Sequence, residues 1–152
     1  MGTDDMPSED ENSRDATDDF KQVHDVIIVG AGAAGIGVAI SVAHSGVENF
    51  LIVDRDGVGA SFAAWPEETR FITPSFPSNS VGMLDLNSVA IGVSPAFNMR
   101  IEHPTGQEYA KHLQGLANYF ELPIRENTNI LSLEKIDDLF HLETKEGTLR
   151  AK

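Results

Sequence analysis

Residues 26–54 hold the arrangement that most restricts what this chain can become. An apolar run, Val26-Ile27-Ile28-Val29, leads into Gly30-Ala31-Gly32-Ala33-Ala34-Gly35; small and apolar positions Ala39 and Val42 follow at helical spacing, and a second apolar run, Leu51-Ile52-Val53, ends in Asp54. The order reads as strand, tight turn, helix, strand and acid. Each glycine has a mechanical reason: Gly30 for the sharp strand-to-helix turn, Gly32 for backbone approach to a ligand with no Cβ in the way, and Gly35 for close packing of helix on strand. A pyrophosphate then fits the start of the helix, where unpaired amides and the positive end of the dipole favour an anion without any lysine. Asp54, at the tip of the second strand, is placed to accept hydrogen bonds from ribose hydroxyls, and its charge disfavours a 2′-phosphate. The competing reading is a glycine-rich turn in some other α/β domain; the flanking strands, helix and acid weigh against it.

At 152 residues the chain has the length of one domain, enough to bury a core. Residues 1–22 are rich in acids and free of periodicity, so they read as a disordered acidic tail, and 23–152 as the folded domain. No apolar run reaches the ~18 residues of a membrane span, and the N-terminus lacks the basic and apolar regions of a secretory signal. A cytoplasmic protein is the expectation. The absence of cysteine removes disulfides, thiolate metal sites and a redox-active cysteine pair from this segment. With 24 acids against 11 bases, a net charge of −13, nucleic acid and anionic membranes are not expected partners. Such an excess fits a halophilic protein, whose carboxylate surface stays hydrated at high cytoplasmic salt. It equally fits an ordinary acidic protein with an acidic tail, and both readings stay open.

The first helix is expected over 33–45, stopped by Gly46, and the second strand over 47–54. From 55 to 100, glycine, proline and serine punctuate the chain and helical periodicity is missing; a long irregular stretch of this kind is usually functional. A short strand is expected at 70–73, limited by Pro74 and Pro77. A second helix over 105–120 is announced by Pro104 and a capping box, Thr105 with Glu108, with Tyr109, Leu113, Leu116 and Phe120 as its buried stripe. Strands are expected at 122–125, 129–136, 140–144 and 148–151, with turns at Asp137-Asp138 and Glu146-Gly147. The fold class is α/β, Rossmann-like, with a parallel sheet and a small β-meander.

This order of parts, with Asp54-Arg55, then Gly59-Ala60-Ser61-Phe62-Ala63-Ala64-Trp65-Pro66, Arg70-Phe71-Ile72-Thr73-Pro74-Ser75-Phe76 and His103-Pro104-Thr105-Gly106, resembles the N-terminal half of flavoproteins with two dinucleotide-binding domains. Flavin-containing monooxygenases and pyridine-nucleotide disulfide oxidoreductases are of this kind. The resemblance implies FAD at the glycine turn, with Gly30, Gly32, Ala33, Ala34 and Gly35 at the pyrophosphate and Asp54 with Arg55 at the adenosine ribose. It further implies Gly59, Ala60, Ser61 and Trp65 along the phosphates toward the flavin, and Ile130 at the adenine edge. NAD(P)H would be the co-substrate of the complete enzyme, passing hydride to flavin and onward to oxygen and an organic substrate, or to a disulfide. Family members continue into a second NAD(P)H-binding domain. The chain therefore reads as truncated or split, inactive alone, with that domain in cis or on a second chain, a small-molecule substrate, and a homodimer as a further arrangement.

Two departures matter. Disulfide reductases of the glutathione reductase type carry a cysteine pair where this chain reads 58–64, and monooxygenases carry a Gly-Gly-Thr-Trp-like loop of which only a spaced Gly59 and Trp65 remain. Two rival functions stay on the page: an NAD-binding dehydrogenase or redox-sensor domain, and a non-enzymatic split-protein interaction module. The five histidines are dispersed, with no H-x-x-x-H pair, so no metal site is expected; His103, before the capped helix, is the best-placed base among them. Trp65, Phe71 and Phe76 could pack on an isoalloxazine ring or fill the core.

Overall fold

The computed structural model describes residues 18–76, 85–90 and 92–152. Most of the expected acidic tail, and Pro77, lie outside the described residues. The two apolar runs of the opening motif become neighbouring parallel strands, β2 (Val26–Val29) and β3 (Phe50–Val53), in register from Val26 opposite Phe50 to Val29 opposite Val53. Between them runs α1 (Ala33–His44), capped at its end by Ser45 and left through Gly46 at φ +84°. A third parallel strand, β4 (Ile124–Arg125), joins the outer side of β3.

Every residue of β3 is buried, and the strand alternation divides its side chains between two cores. Phe50 and Ile52 pack with Ile36, Ile40, Leu113 and Leu116 under the helices. Leu51 and Val53 pack with Leu142 and Leu149 on the other face. The chain is thus layered as helices, parallel sheet and meander, and the carboxyl ends of β2 and β3 open on one edge of that stack.

The helical layer is completed by α4 (Gly106–Tyr119). Its capping box forms as expected: the Thr105 amide donates to Glu108 Oε2 at 2.8 Å, and the Glu108 amide donates back to Thr105 Oγ1 at 3.2 Å. Tyr109, Leu113 and Leu116 are buried, and so are Ala110, His112 and Ala117, so the inward face is broader than the expected stripe.

The meander is β5 (Ser132–Ile136), β6 (Leu139–Glu143) and β7 (Thr148–Ala151), all antiparallel, with β7 also pairing in parallel with β1 (Val23–His24). Asp137 and Asp138 both take positive φ, 48° and 66°, as a two-residue hairpin loop demands. A 3-10 turn at Asp18–Phe20 folds against this end. There Asp19 is buried, Arg125 approaches it at 3.6 Å, and the Arg125 guanidinium lies 4.4 Å over the Phe20 ring.

The expected disordered tail does not reach residue 22, since Asp18–Phe20 is ordered with Asp19 buried, and three further expectations are corrected. The strand at 70–73 reduces to one bridge, Arg70 opposite Thr105, beside which, among the described residues, only the isolated backbone bonds from the Phe71 amide to Pro104 O and from the Ser75 amide to Glu102 O tie the segment to its neighbour. The strand at 122–125 narrows to two residues and serves the parallel sheet. The stretch 55–100 contains two short helices, α2 (Ala60–Ala63) and α3 (Pro95–Met99).

Candidate functional site

The site is the turn between β2 and α1 and what closes over it. Gly30 leaves β2 at φ +105° while its amide donates to Val53 O at 2.7 Å; a side chain there would be strained. A Cβ at Gly35 would stand 1.8 Å from the Gly30 carbonyl oxygen, so helix and strand meet at a separation only glycine permits. Gly32 is the opposite case. It is the N-cap of α1, no side chain caps the helix there, and a Cβ built on it meets nothing within 4 Å. The first-turn amides of α1 therefore face open space, which is the geometry an oxyanion occupies.

Asp54 ties this turn to the next loop. Its Oδ2 accepts from the Ala31 amide at 2.7 Å, and its Oδ1 accepts from Asp56 and Gly57 at 2.8 and 2.7 Å. Burial pushes its pKa up, but the three amides and the Arg55 charge outweigh that and hold it below the ordinary 3.8. The carboxylate is thus ionised and employed in the structure itself. With about four lone-pair sites and three occupied, one acceptor site remains for a hydroxyl.

The loop after Asp54 is set by two more carboxylate and carbonyl contacts. Val58 N donates to Glu126 Oε1 at 3.0 Å, and Thr128 N donates to Asp54 O at 2.8 Å. Gly59 then begins α2 at φ +72°, its amide bonded to Ala31 O at 3.0 Å, and a Cβ on it would come within 2.8 Å of Ala110 Cα. α2 is thereby held between the glycine turn and α4.

These elements enclose a cleft of about 390 Å³ along the ends of the parallel strands. It brings together Gly30, Gly32, Asp54, Arg55, Ala60, Ser61 and Ile130 from the sequence reading, and adds Thr128 and Asn129 beside Ile130. Of the other named residues, Ala33 and Ala34, in the first turn of α1, border a separate open depression that Leu86, Ser88, Val89 and Tyr109 also line. Gly35 and Gly59 act inside the packing, as above. Trp65 sits in an aromatic cluster, 5.3 Å from Phe62 and 5.2 Å from Phe71 between ring centres, with Phe71 4.6 Å from Tyr109.

A buried polar network that sequence reasoning missed pins the irregular stretch. Asp85 accepts from Ser94 Oγ at 2.5 Å, from the Asn87 amide at 2.9 Å and from the Phe76 amide at 3.3 Å. Asn87 Nδ2 donates to Ser75 Oγ and Thr73 O, both at 2.8 Å, and Tyr109 donates its hydroxyl to Asn87 O at 2.7 Å. Burial and the Asp85 charge push Tyr109 up to about 12, so it stays a donor. The spacing Asp85-x-Asn87 is the one local signal of this turn. His103, the candidate base, is turned away from the cleft, its Nδ1 2.9 Å from Phe71 O. Among the described residues no group of three metal-ligating side chains converges, and no helix is long and apolar enough to cross a membrane.

A family profile, pyridine nucleotide-disulphide oxidoreductase, matches residues 27–152. An uncharacterised CzcO-like oxidoreductase of Geobacillus kaustophilus is 26% identical over 133 residues, covering 88% of this chain and 35% of its own length. Among solved structures, a bacillithiol disulfide reductase from Staphylococcus aureus superposes with a TM-score of 0.71 at 19% identity, covering 86% of this chain and 36% of that one. A flavin monooxygenase from Stenotrophomonas maltophilia gives 0.64 at 17%, covering 85% and 36%. The chain spans about a third of the length of these relatives, and the two structures share its fold.

Proposed function

We propose that this chain, which belongs to the pyridine nucleotide-disulphide oxidoreductase family, is the FAD-binding portion of an NAD(P)H-dependent flavin oxidoreductase working in a salt-rich cytoplasm. The carrying observation is the convergence on one cleft of an uncapped helix start, a glycine with open space where its Cβ would be, and an ionised acid at the tip of β3. A dinucleotide carries a diphosphate for the first two and a ribose for the third.

The residues present fit the group. The amides of Gly32, Ala33 and Ala34 would hold the diphosphate, Asp54 the adenosine ribose, Arg55 the rim beside it, and Ile130 the adenine edge. Ala60 and Ser61 would flank the path toward the flavin, with Trp65 behind them. Bound FAD supplies hydride chemistry, with NAD(P)H as donor and oxygen with a small organic substrate, or a disulfide, as acceptor. The chain carries no cysteine, so a thiol pair acting on a disulfide would come from the nicotinamide-binding domain, and both acceptors stay within the proposal. The chain's own contribution is to orient the cofactor and neutralise its phosphates. The nicotinamide-binding domain would come in cis or from a second chain, and the 152 residues alone would be inactive.

Thermal-shift titration of the purified chain with ADP, FAD and NAD tests this. FAD and ADP should raise the unfolding midpoint saturably, with FAD the tighter, and Gly32→Val should abolish both shifts. A shift with NAD but none with FAD would transfer the site to a nicotinamide dehydrogenase. No shift with any of the three in a folded chain would end the dinucleotide reading.

A further inference from the structure

Asp54 can meet a ribose only if its carboxylate is held still, and the loop that holds it is itself tied to a second strand. Three consecutive amides of that loop each donate to a carboxylate. Asp56 and Gly57 donate to Asp54 Oδ1 at 2.8 and 2.7 Å, and Val58 donates to Glu126 Oε1 at 3.0 Å. Asp54 follows β3 and Glu126 follows β4, so the loop is strung between the carboxyl ends of two neighbouring parallel strands. Glu126 does not line the dinucleotide cleft; it borders a separate depression with Val58, Gln114 and Asn118.

The chain around Glu126 fixes where its carboxylate reaches. Its carbonyl accepts from Thr128 Oγ1 at 3.1 Å, while the buried Thr128 donates its amide to Asp54 O at 2.8 Å. Gly57 lies against the carboxylate itself: a Cβ there would stand 2.9 Å from Glu126 Oε1 and 3.2 Å from Cδ, and its φ of +135° is one that other residues rarely adopt. Glu126 is exposed, so water competes for its oxygens and the contact adds little to global stability. What it sets is the position of Val58, and with it the two amides just before.

Those two amides hold one end of the Asp54 carboxylate, and the Ala31 amide holds the other, at Oδ2. A loop free to shift would carry Oδ1 with it and turn the carboxylate about the Ala31 bond. The acceptor site left for a hydroxyl would turn as well, and hydrogen bonds weaken steeply off line. The first-turn amides of α1 rest instead on the Gly35–Gly30 contact and the bond to Ala31. A loss at Glu126 would thus be felt at a ribose and spared at a diphosphate.

We propose that Glu126 is a positioning residue for the ribose: by holding the Val58 amide it fixes the loop that aims the Asp54 carboxylate at the sugar hydroxyls. This rests on the reading of the cleft as a dinucleotide site.

Calorimetric titration of the purified chain with ADP and with 2′,3′-dideoxy-ADP, which keeps base and diphosphate but lacks the hydroxyls, tests it. The ratio of the two affinities isolates the ribose contact, because removing a charge at 126 acts on both anions alike. The parent should prefer ADP by about tenfold, the worth of one hydrogen bond to a charged acceptor open to water. Glu126→Ala should bring the preference below about threefold, with dideoxy-ADP bound no more weakly than by the parent. Glu126→Gln, whose amide oxygen can still accept from Val58, should keep the parent ratio. Glu126→Asp retains the charge on a shorter side chain and should behave as Glu126→Ala; it decides the matter if Glu126→Ala fails to fold. In the unliganded chain, hydrogen exchange at Gly57 and Val58 should quicken in Glu126→Ala and stay at the parent rate in Glu126→Gln. An unchanged ratio in a folded Glu126→Ala chain, unaltered exchange at those amides, or a Glu126→Gln variant that fails as alanine does would overturn the proposal while leaving the dinucleotide site standing. A parent that binds no ADP, or binds both nucleotides equally, would overturn the ribose reading and this inference with it.

Discussion

Gly35→Ala separates fold from ligand at the glycine turn. The new methyl carbon would start 1.8 Å from Gly30 O and 2.9 Å from Gly30 C. Both are backbone atoms of a turn already fixed by the Gly30 amide on Val53 O, so no side chain can rotate away. Relief requires α1 and β2 to part by about 1.2 Å, the distance from that contact to ~3.0 Å, well up the repulsive wall of a non-bonded pair. Overpacking costs typically 1–3 kcal/mol, and an immobile partner puts this case near the top, at about 3 kcal/mol. For a chain of this size that lowers the melting midpoint by roughly 6–12 °C. Gly32→Ala is the matched control: its methyl enters open space, so the midpoint should move by no more than about 1 kcal/mol of N-cap preference, while FAD and ADP affinity falls. Thermal melts followed by circular dichroism, with ADP titrations on both variants, read the two effects separately. A Gly35→Ala midpoint within about 2 °C of the parent would refute the packing argument, and unchanged ADP affinity in Gly32→Ala would refute the ligand argument.

Asp54 is held ionised by amides, so its stabilisation is complete above the unfolded value near ~3.9 and is lost as pH falls through the lower folded value. Melts across the acid range should show a steeper loss in the parent than in Asp54→Asn; parallel curves would count against the role of the charge. Asp85→Ala strips three donors, from Ser94, Asn87 and Phe76, of their acceptor, and should cost about 2–4 kcal/mol in urea unfolding, with a change below ~1 kcal/mol contradicting it. If the acidic surface is adapted to salt, the melting midpoint should rise steadily between about 0.1 and 2 M potassium chloride, and a flat or falling profile would leave an ordinary acidic protein.

What could be read from residues alone was what local spacing encodes. The strand, turn and helix of 26–44 carry their own periodicity and punctuation, and the capping box at Thr105 and Glu108 fixes a helix start within one residue. α2 could not be read because it has four residues and none of them is buried; it exists through Gly59 seated on Ala110 and tied to Ala31. The Asp85 network joins residues from three separate loop segments to α4, and polar side chains give no advance sign of burial. His112 shows the same limit. As one of five scattered histidines it carries no sign in the sequence of being buried, and only the fold encloses it with its Nε2 unpartnered. Asp54 was legible as an acid at a strand tip, but its bond to Ala31 joins residues 23 positions apart and belongs to the folded turn.

That bond bears on how a chain of net charge −13 can hold a diphosphate. A phosphate site built on lysines would depend on charges acting over distance, and in the proposed salt-rich cytoplasm molar salt would cut such reach to about 3 Å. Here the described cleft has Arg55 as its cation, and that side chain is 3.0 Å from Asp56 and largely solvent-exposed. The anion must therefore be met by amides at contact distance, where screening ions cannot intervene. Amides can do this only if the turn that aims them is rigid before the ligand arrives. Asp54 on the Ala31 amide, the Gly59 amide on Ala31 O, and the helix pressed on Gly30 through Gly35 supply that rigidity. On the proposed function the acid at the strand tip has a duty toward the ribose besides the one toward the loop, and Asp54→Asn should weaken ADP binding even where the fold is intact. Unchanged ADP affinity in a fully folded Asp54→Asn chain would separate the two duties and leave Asp54 with the loop alone.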